Sequence, residues 1–382
     1  MPVVTQSDHS RHVAISLGER SYDLIVGSQL LHNSGGTIRD WLTRRFGERS
    51  TTGSALIVTD SNVRRHADLV RASLESAGFR TAVFEMVPGE QSKRLDVISS
   101  AWDQLIEFQA DRQTAIVAVG GGVVGDAAGF VASSFARGLP FIQIPTTLLA
   151  DVDSSVGGKV GINHPRAKNM IGAFHQPLGV LIDTVVLETL PDREYRAGLA
   201  EVVKYGVILD AHFFEFLERN TTELNCRDAQ AMNYAIARSC ELKASIVEQD
   251  EYERSGLRAM LNYGHTFAHA FEALTGYGEL LHGEAVAIGM LSASRLAEAA
   301  GLIDAEVTRR QQVLMTQLQM RLALPDPGKM TADAVLDRMR LDKKTVGGQL
   351  RFVLPSRIGE VSVVKGIPEQ LVREVLAADG IR

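Results

Sequence analysis

The sequence predicts an α/β N-terminal domain, a mostly parallel Rossmann-like sheet covered by helices, followed by a mainly α-helical C-terminal domain. Three observations carry this: short β-rich runs alternate with helical stretches in the first half; a glycine turn, GGGVVGD, joins an apolar run to a helix; and the texture changes near residue 190 to Ala-, Leu- and Glu-rich segments. HVAISL and YDLIVG flank the polar GERS and read as a hairpin. ALIVT at 55–59, TAVFEMV at 81–87, TAIVAV at 114–119, FIQI at 141–144 and GVLID at 179–183 read as buried strands. Apolar positions three and four apart at 62–77 and 92–109 supply the intervening helices.

Beyond about 190, segments 193–209, 211–219, 227–248, 265–275, 283–300 and 303–322 read as helices. LRFVLP at 350–355 and VSVV at 361–364 form a small strand pair before a last helix. The boundary falls where a strand ends and LPDRE offers a proline-started helix, giving domains 1–187 and 188–382.

A chain of 382 residues that is 45% hydrophobic and 23% charged is long enough for about two globular domains. The net charge of −6 and the lack of any Lys/Arg block argue against nucleic acid and for a small-molecule partner. No apolar run approaches a membrane span, and the first twenty residues lack a signal-peptide core. Cys226 and Cys240 are far apart and outside any CxxC pattern, which fits a reducing, cytoplasmic setting.

Gly120, Gly122 and Gly125 satisfy G-x-G-x-x-G between a strand and a helix, where bare backbone N–H groups can receive a pyrophosphate. The ordinary dinucleotide fingerprint has an acid about twenty positions later; FIQIP there supplies none. Asp60, ending ALIVTD, is placed to accept from a ribose or to cap the next helix, and PGEQSK at 88–93 adds a second strand-end loop with Glu90 and Lys93. A nucleotide is expected, by a geometry other than the simple Rossmann one.

DVDSSVGGKVGINHPRAKNMIG at 151–172 reads as a long glycine-rich loop, able to cradle phosphate through Ser154, Gly157, Gly158 and Lys159 and tied down by Val156, Val160, Ile162 and Met170. Glu201 and Lys204 share a helix face inside the apolar AGLAEVVKYGVIL, which points to a buried pair. His265, His269 and His282 crowd a short stretch beside them, the density of imidazole and carboxylate that a divalent metal needs. Four-residue spacing favours His265 and His269 as the chelating pair, and the absence of H-E-x-x-H argues against peptide hydrolysis. Arg137, Lys243, Arg258, Lys343 and Lys344 recur near these motifs and suit an anionic substrate.

PGEQSK, GGGVVGD, IPTTLLADVDSSVGGK, KNMIGAF, GLAEVVKYG, LNYGHTFAHAFE and LHGEAVAIGM, in that order and spacing, closely resemble the 3-dehydroquinate synthase family, over about residues 12–375. The resemblance implies a dehydroquinate synthase-like fold with its active site in the cleft between the domains. It implies a lyase of the shikimate pathway and aromatic amino acid biosynthesis, using NAD and Zn2+ or Co2+, that converts the anionic sugar phosphate 3-deoxy-D-arabino-heptulosonate 7-phosphate into 3-dehydroquinate and phosphate. The implied course is transient oxidation by NAD, phosphate elimination, re-reduction and intramolecular aldol closure.

By the resemblance, Glu201, His265 and His282 bind the metal, which displaces the pair suggested by spacing and leaves His269 facing substrate. The implied NAD contacts are Asp60, Asn62, Pro88, Gly89, Glu90, Gln91, Ser92, Lys93, Gly121, Gly122, Val123, Val124, Gly125, Asp126, Thr146, Thr147, Lys159, Lys168, Val186, Leu187, Glu188 and Thr189. The implied catalytic and substrate contacts are Asp153, Lys159, Asn169, Lys204, Lys243, Arg258, Asn262, His269 and one of Lys343 or Lys344, with Lys344 the choice. Arg137 matches an arginine lent to a neighbouring subunit's site, which implies a homodimer. Ala268, where many relatives have Gly, and DEYERSGLR, one residue longer than the commonest form, are departures that touch no implied ligand.

Overall fold

The computed structural model describes residues 4–7, 10–47, 53–276, 278–342 and 350–382. The chain divides into two compact units, Met1–Leu190 with Met232–Tyr252, and Pro191–Ala231 with Glu253–Arg382.

The first unit is built on an eight-stranded sheet. Its strands are β1 (Val4–Ser7), β2 (Ser10–Ile15), β3 (Tyr22–Gly27), β4 (Ser54–Asp60), β5 (Arg80–Met86), β6 (Ala115–Gly120), β7 (Phe141–Pro145) and, after a separate hairpin, β10 (Gly179–Asp183), in the order β1-β2-β3-β10-β7-β6-β4-β5. β1, β2 and β3 pair antiparallel, and β3 through β5 run parallel. The central strands are buried along nearly their whole length, which is why they read as unbroken apolar runs. Leu56, Val58, Ile116 and Ala118 pack on one face with Ile98, Ala101 and Leu105 of α3 (Leu95–Glu107) and Val124, Ala128 and Val131 of α4 (Gly122–Ser134). The period-two pleat turns Ala55, Ile57 and Val117, also buried, to the other face.

Two helices cross near that sheet, α1 (Ser34–Phe46) and α2 (Arg64–Ser76), and α1 was not evident from the sequence. It opens on a Gly-Gly pair that masks the apolar i, i+3, i+4 set Ile38, Trp41 and Leu42; Gly35 is needed because a Cβ there would lie 2.2 Å from the Ser73 carbonyl of α2.

The segment expected as a long loop is instead a π-helical turn, Ala150–Ser154, and an antiparallel hairpin of β8 (Lys159–His164) and β9 (Ala167–Phe174). Its glycines mark close backbone approach rather than irregularity: Gly161 faces Gly172, and a Cβ on Gly172 would sit 2.3 Å from the Val160 carbonyl. Val156, Val160 and Ile162 are buried as expected, but Met170 is 65% exposed and anchors nothing.

In the second unit, α5 (Asp192–Leu209), α6 (Ala211–Arg219), α7 (Thr221–Asn225), α9 (His265–Leu274), α10 (His282–Ala299), α11 (Ala305–Gln317), α12 (Ala332–Asp342) and α13 (Glu369–Ala378) surround a strand pair, β11 (Arg351–Arg357) and β12 (Glu360–Lys365). α11 is shorter than the helix read over 303–322, because the chain turns at Gln319 with φ +56°. The intervening α8 (Ala229–Gln249) groups from Met232 onward with the first unit, so the division is less simple than a single boundary at 187/188. Lys243 to Asp153, the Cys240 thiol to the Asp151 carbonyl and Thr184 to the Asn233 side chain tie it there. Among the described residues no helix is long and apolar enough to cross a membrane.

Candidate functional site

In the second unit three helices deliver Glu201, His265 and His282 to one point, their ligand atoms all within 4.8 Å of one another. Glu201 lies mid-way along α5, and the two histidines are the first residues of α9 and α10. Glycines set this approach. Gly264 precedes α9 at φ +79°, and a Cβ there would meet the Met290 amide of α10 at 2.8 Å; a Cβ on Gly283 would lie 1.9 Å from the Ala197 carbonyl, one turn before Glu201.

Glu201 Oε1 is 3.7 Å from His265 Nε2 and 4.0 Å from His282 Nε2. The carboxylate is wholly buried; Oε2 is held by the Lys204 ammonium, and Oε1 receives no hydrogen bond from the described residues. Oε2 thus has a counter-ion, whereas Oε1 faces the two imidazoles with no donor to it, an arrangement of one carboxylate and two ring nitrogens that fits a divalent cation. His265 Nδ1 faces the Tyr263 carbonyl at 3.1 Å. A carbonyl only accepts, so the proton sits on Nδ1 and Nε2 presents its lone pair. Burial first, then the charges of Lys204, His282 and His269, hold His265 well below the usual imidazole range, in the neutral form a metal requires. Two imidazoles and a carboxylate fit Zn2+ or Co2+ and leave a coordination position for substrate.

The pair favoured by spacing does not form the ligand set. His265 and His269 stack edge to face with centroids 5.5 Å apart, and it is His282, from the next helix, that joins His265 and Glu201. Helical spacing is blind to a ligand supplied by another element.

In the same unit, Arg258 is buried in a 3-10 turn, Leu257–Asn262, that leads into the α9 glycine; its Nε is 3.4 Å from Glu253 Oε1. Asn262 ends that turn. Lys343 and Lys344 lie outside the described residues.

The first unit supplies the glycine turn. Counting from β4, the parallel strands run second-first-third-fourth-fifth (β5-β4-β6-β7-β10), so the order reverses between β4 and β6. Ligands of open α/β sheets bind at the carboxyl ends beside such a switch point. There β4 ends at Asp60, which caps its own turn by accepting from the Asn62 amide, and β6 ends at Gly120, ahead of Gly121 and Gly122 at the start of α4. A Cβ on Gly121 would crowd the Thr147 methyl at 3.1 Å and one on Gly122 the Ser154 hydroxyl at 3.0 Å, so side chains are kept out of this cradle. Val123, Val124 and Gly125 continue the first turn of α4, and the Thr146 hydroxyl is buried without a hydrogen-bond partner among the described residues. The cradle and the orphan hydroxyl fit a dinucleotide.

Around this edge the polar residues are already linked. Pro88 and Gly89 (φ +105°) lead into the turn Glu90–Ser92, where Gln91 donates to the Pro88 carbonyl and Ser92 to that of Val87. Buried Lys93 donates to Asp126 at 2.6 Å and to the Asn169 side chain at 2.5 Å. Burial raises the Asp126 carboxyl above its usual range against the pull of Lys93. Asn169, at φ +54°, sits on β9 next to exposed Lys168, and exposed Lys159 begins β8. Val186, Leu187, Glu188 and Thr189 form the helical stretch after β10, where the Thr189 hydroxyl meets His66 Nε2 at 3.0 Å. His66 was not evident from the sequence; burial keeps it below the usual imidazole range.

Two further residues of this unit stand apart. Lys243 donates to the Asp153 carboxylate at 2.6 Å and to its carbonyl at 2.5 Å. Arg137 is exposed on a backbone with successive positive φ at Ala136, Arg137 and Gly138. Such strain in non-glycine residues persists only where the surroundings enforce it.

Comparison with known proteins agrees over most of the chain. A family model for the 3-dehydroquinate synthase N-terminal region matches residues 83–197 and one for the C-terminal region matches 198–345. The 3-dehydroquinate synthase of Desulforamulus reducens is 47% identical over 366 residues, covering 96% of this chain and 99% of that protein. Among solved structures, 2-epi-5-epi-valiolone synthase from Streptomyces hygroscopicus subsp. jinggangensis, with NAD+ and Zn2+ bound, has a TM-score of 0.83 at 28% identity, covering 96% of this chain and 98% of that one. A 2-deoxy-scyllo-inosose synthase complexed with carbaglucose-6-phosphate, NAD+ and Co2+ also scores 0.83, at 26% identity, with 96% and 99% covered. The chain belongs to the 3-dehydroquinate synthase family.

Proposed function

We infer that this chain is a 3-dehydroquinate synthase, releasing phosphate from 3-deoxy-D-arabino-heptulosonate 7-phosphate as it forms 3-dehydroquinate. The observation that carries the reading is the convergence of Glu201, His265 and His282, with the wholly buried Glu201 carboxylate turning Oε1 toward both imidazoles, in a chain alike to a 3-dehydroquinate synthase over 96% of its length. When bound, NAD supplies a transient hydride acceptor, and Zn2+ or Co2+ a Lewis acid at the hydroxyl being oxidised, so the net reaction is redox-neutral.

The chain's own residues bind and orient. The turn Gly121–Gly125 and Asp60 are assigned to the nucleotide, with the strand-end groups Glu90, Lys93, Asp126, Thr146, Thr147, Lys168 and 186–189 around it. Lys204, Lys243, Arg258 and Lys344 are assigned to the substrate's phosphate and carboxylate, with Asp153, Lys159, Asn169, Asn262 and His269 completing the set. The Lys93–Asp126 and Lys243–Asp153 pairs support this, since both cations are buried and held by carboxylates that an incoming anion can displace.

A homodimer and a cytoplasmic location belong to the same proposal. The strained backbone that presents exposed Arg137 supports the first, and two free cysteines, Cys226 and Cys240, support the second.

A related sugar phosphate cyclase is the second reading, favoured by the 2-epi-5-epi-valiolone and 2-deoxy-scyllo-inosose synthase likenesses. Identity is higher to the 3-dehydroquinate synthase of Desulforamulus reducens, 47% against 28% and 26%. The test is a substrate panel with NAD and Zn2+: the heptulosonate phosphate, sedoheptulose 7-phosphate and glucose 6-phosphate. Phosphate release from the first alone, without NADH accumulating, is expected. Stoichiometric NADH would mark a dehydrogenase, and turnover of either other sugar a sister cyclase.

A further inference from the structure

Glu272 lies in the last turn of α9, a poor place for a carboxylate, because the helix macrodipole puts partial negative charge there. With His265 and His269 it occupies positions i, i+4 and i+7, so all three share one face of the helix. That face meets His282 of α10: the rings of His265 and His269 lie 5.3 Å and 6.3 Å from it, and Glu272 Oε1 is 3.4 Å from its Nδ1. The other nitrogen of the ring, Nε2, is the one that points to Glu201.

We propose that Glu272 is a positioning residue for the metal site: it accepts from Nδ1–H of His282, fixes that tautomer and turns the Nε2 lone pair toward Glu201 and His265. The proposal rests on the assignment of Glu201, His265 and His282 as the metal ligands. The two histidines then follow one rule with different acceptors, the Tyr263 carbonyl for His265 and the Glu272 carboxylate for His282. The need is greater at His282, whose side chain is 34% exposed against 12% for His265 and so is less constrained by packing. A carboxylate behind an imidazole also makes it a more basic ligand.

The experiment titrates Zn2+ into apo-protein against a chromophoric chelator, for wild type, Glu272→Ala, Glu272→Gln, His282→Ala and the Glu272→Ala/His282→Ala double variant. Glu272→Ala is expected to weaken Zn2+ by about 10- to 100-fold. Glu272→Gln, which keeps an acceptor oxygen, should recover part of that loss, and Glu272→Ala should cost nothing further once His282 is gone. The visible spectrum of the Co2+ form should change with Glu272→Ala while melting of the apo-protein holds.

Wild-type Zn2+ affinity in Glu272→Ala, or an equal loss in both backgrounds, overturns the role of Glu272 while His282→Ala still loses the metal. Full Zn2+ affinity in His282→Ala overturns the ligand assignment itself, and this proposal with it.

Discussion

The Lys204 ammonium rests on the Glu201 carboxylate one turn earlier on α5, and the two side chains are 2% and 0% exposed. Lys204 is therefore a counter-ion of the carboxylate, while Oε1 faces the two imidazoles. Removing one partner of a buried pair leaves an uncompensated charge, at a cost of about 3–5 kcal/mol. Lys204→Met is expected to lower the melting temperature of the apo-protein sharply. Saturating Zn2+ should then stabilise Lys204→Met more than wild type, because the metal takes over the lost charge; equal metal-induced shifts in melting temperature would contradict this.

Gly283 tests the helix packing behind the ligands. A Cβ there would lie 1.9 Å from the Ala197 carbonyl, backbone that cannot give way as a flexible side chain does. Gly283→Ala is expected to push α10 off α5 and draw His282 from Glu201. The cost in stability is about 1–3 kcal/mol, the usual range for overpacking. Zn2+ affinity should fall with it, whereas Gly328→Ala, where a Cβ would meet nothing closer than 3.9 Å, should leave the metal untouched. Unchanged Zn2+ binding by Gly283→Ala would show that the helix contact does not set the site.

These two cases also show what the sequence could reveal. Buried strands such as AIVAVG announce themselves because both faces are covered, and the buried Glu201–Lys204 pair was legible from its apolar surroundings. The β8–β9 hairpin was not, because Gly161 and Gly172, read as loop residues, serve to let two backbones meet. Nor was the partnership of His282 with His265 legible from spacing, since it depends on how α9 and α10 pack through Gly264. Family motifs pointed to that trio without any geometry, and Glu272 and His66 carry no local signal at all.

Asp151 gives a pH prediction. It is 0% exposed on the π-helical turn beside Asp153, and among the described residues neither carboxylate oxygen has a hydrogen-bond partner. Burial, reinforced by the Asp183 charge, raises its carboxyl well above the usual range. The native state thus holds a proton that the unfolded chain releases near pH 4, so this group's contribution to stability is full below about pH 4 and is lost as pH rises toward the folded pKa. In that window the slope is about −1.4 kcal/mol per pH unit. Asp151→Asn keeps the shape and does not titrate. Its stability relative to wild type should rise as pH increases above about 4 and level off once the folded pKa is passed, as read by urea unfolding, and a pH-independent difference would refute a protonated Asp151.

Arg137 is exposed at the end of a strained turn, and the proposed homodimer assigns it to the partner's active site. Arg137→Ala and His265→Ala should each be inactive as pure proteins, for different reasons: one lacks the lent guanidinium, the other a metal ligand. In a mixed dimer with twofold symmetry, one of the two sites receives both defects and the other neither. Random reassortment at equal concentrations makes half the dimers mixed, so about a quarter of wild-type activity should return. Recovery that appears on mixing and depends on subunit exchange supports a shared site. No recovery, with mixed dimers demonstrated by differential tagging, would place Arg137 in its own subunit's site.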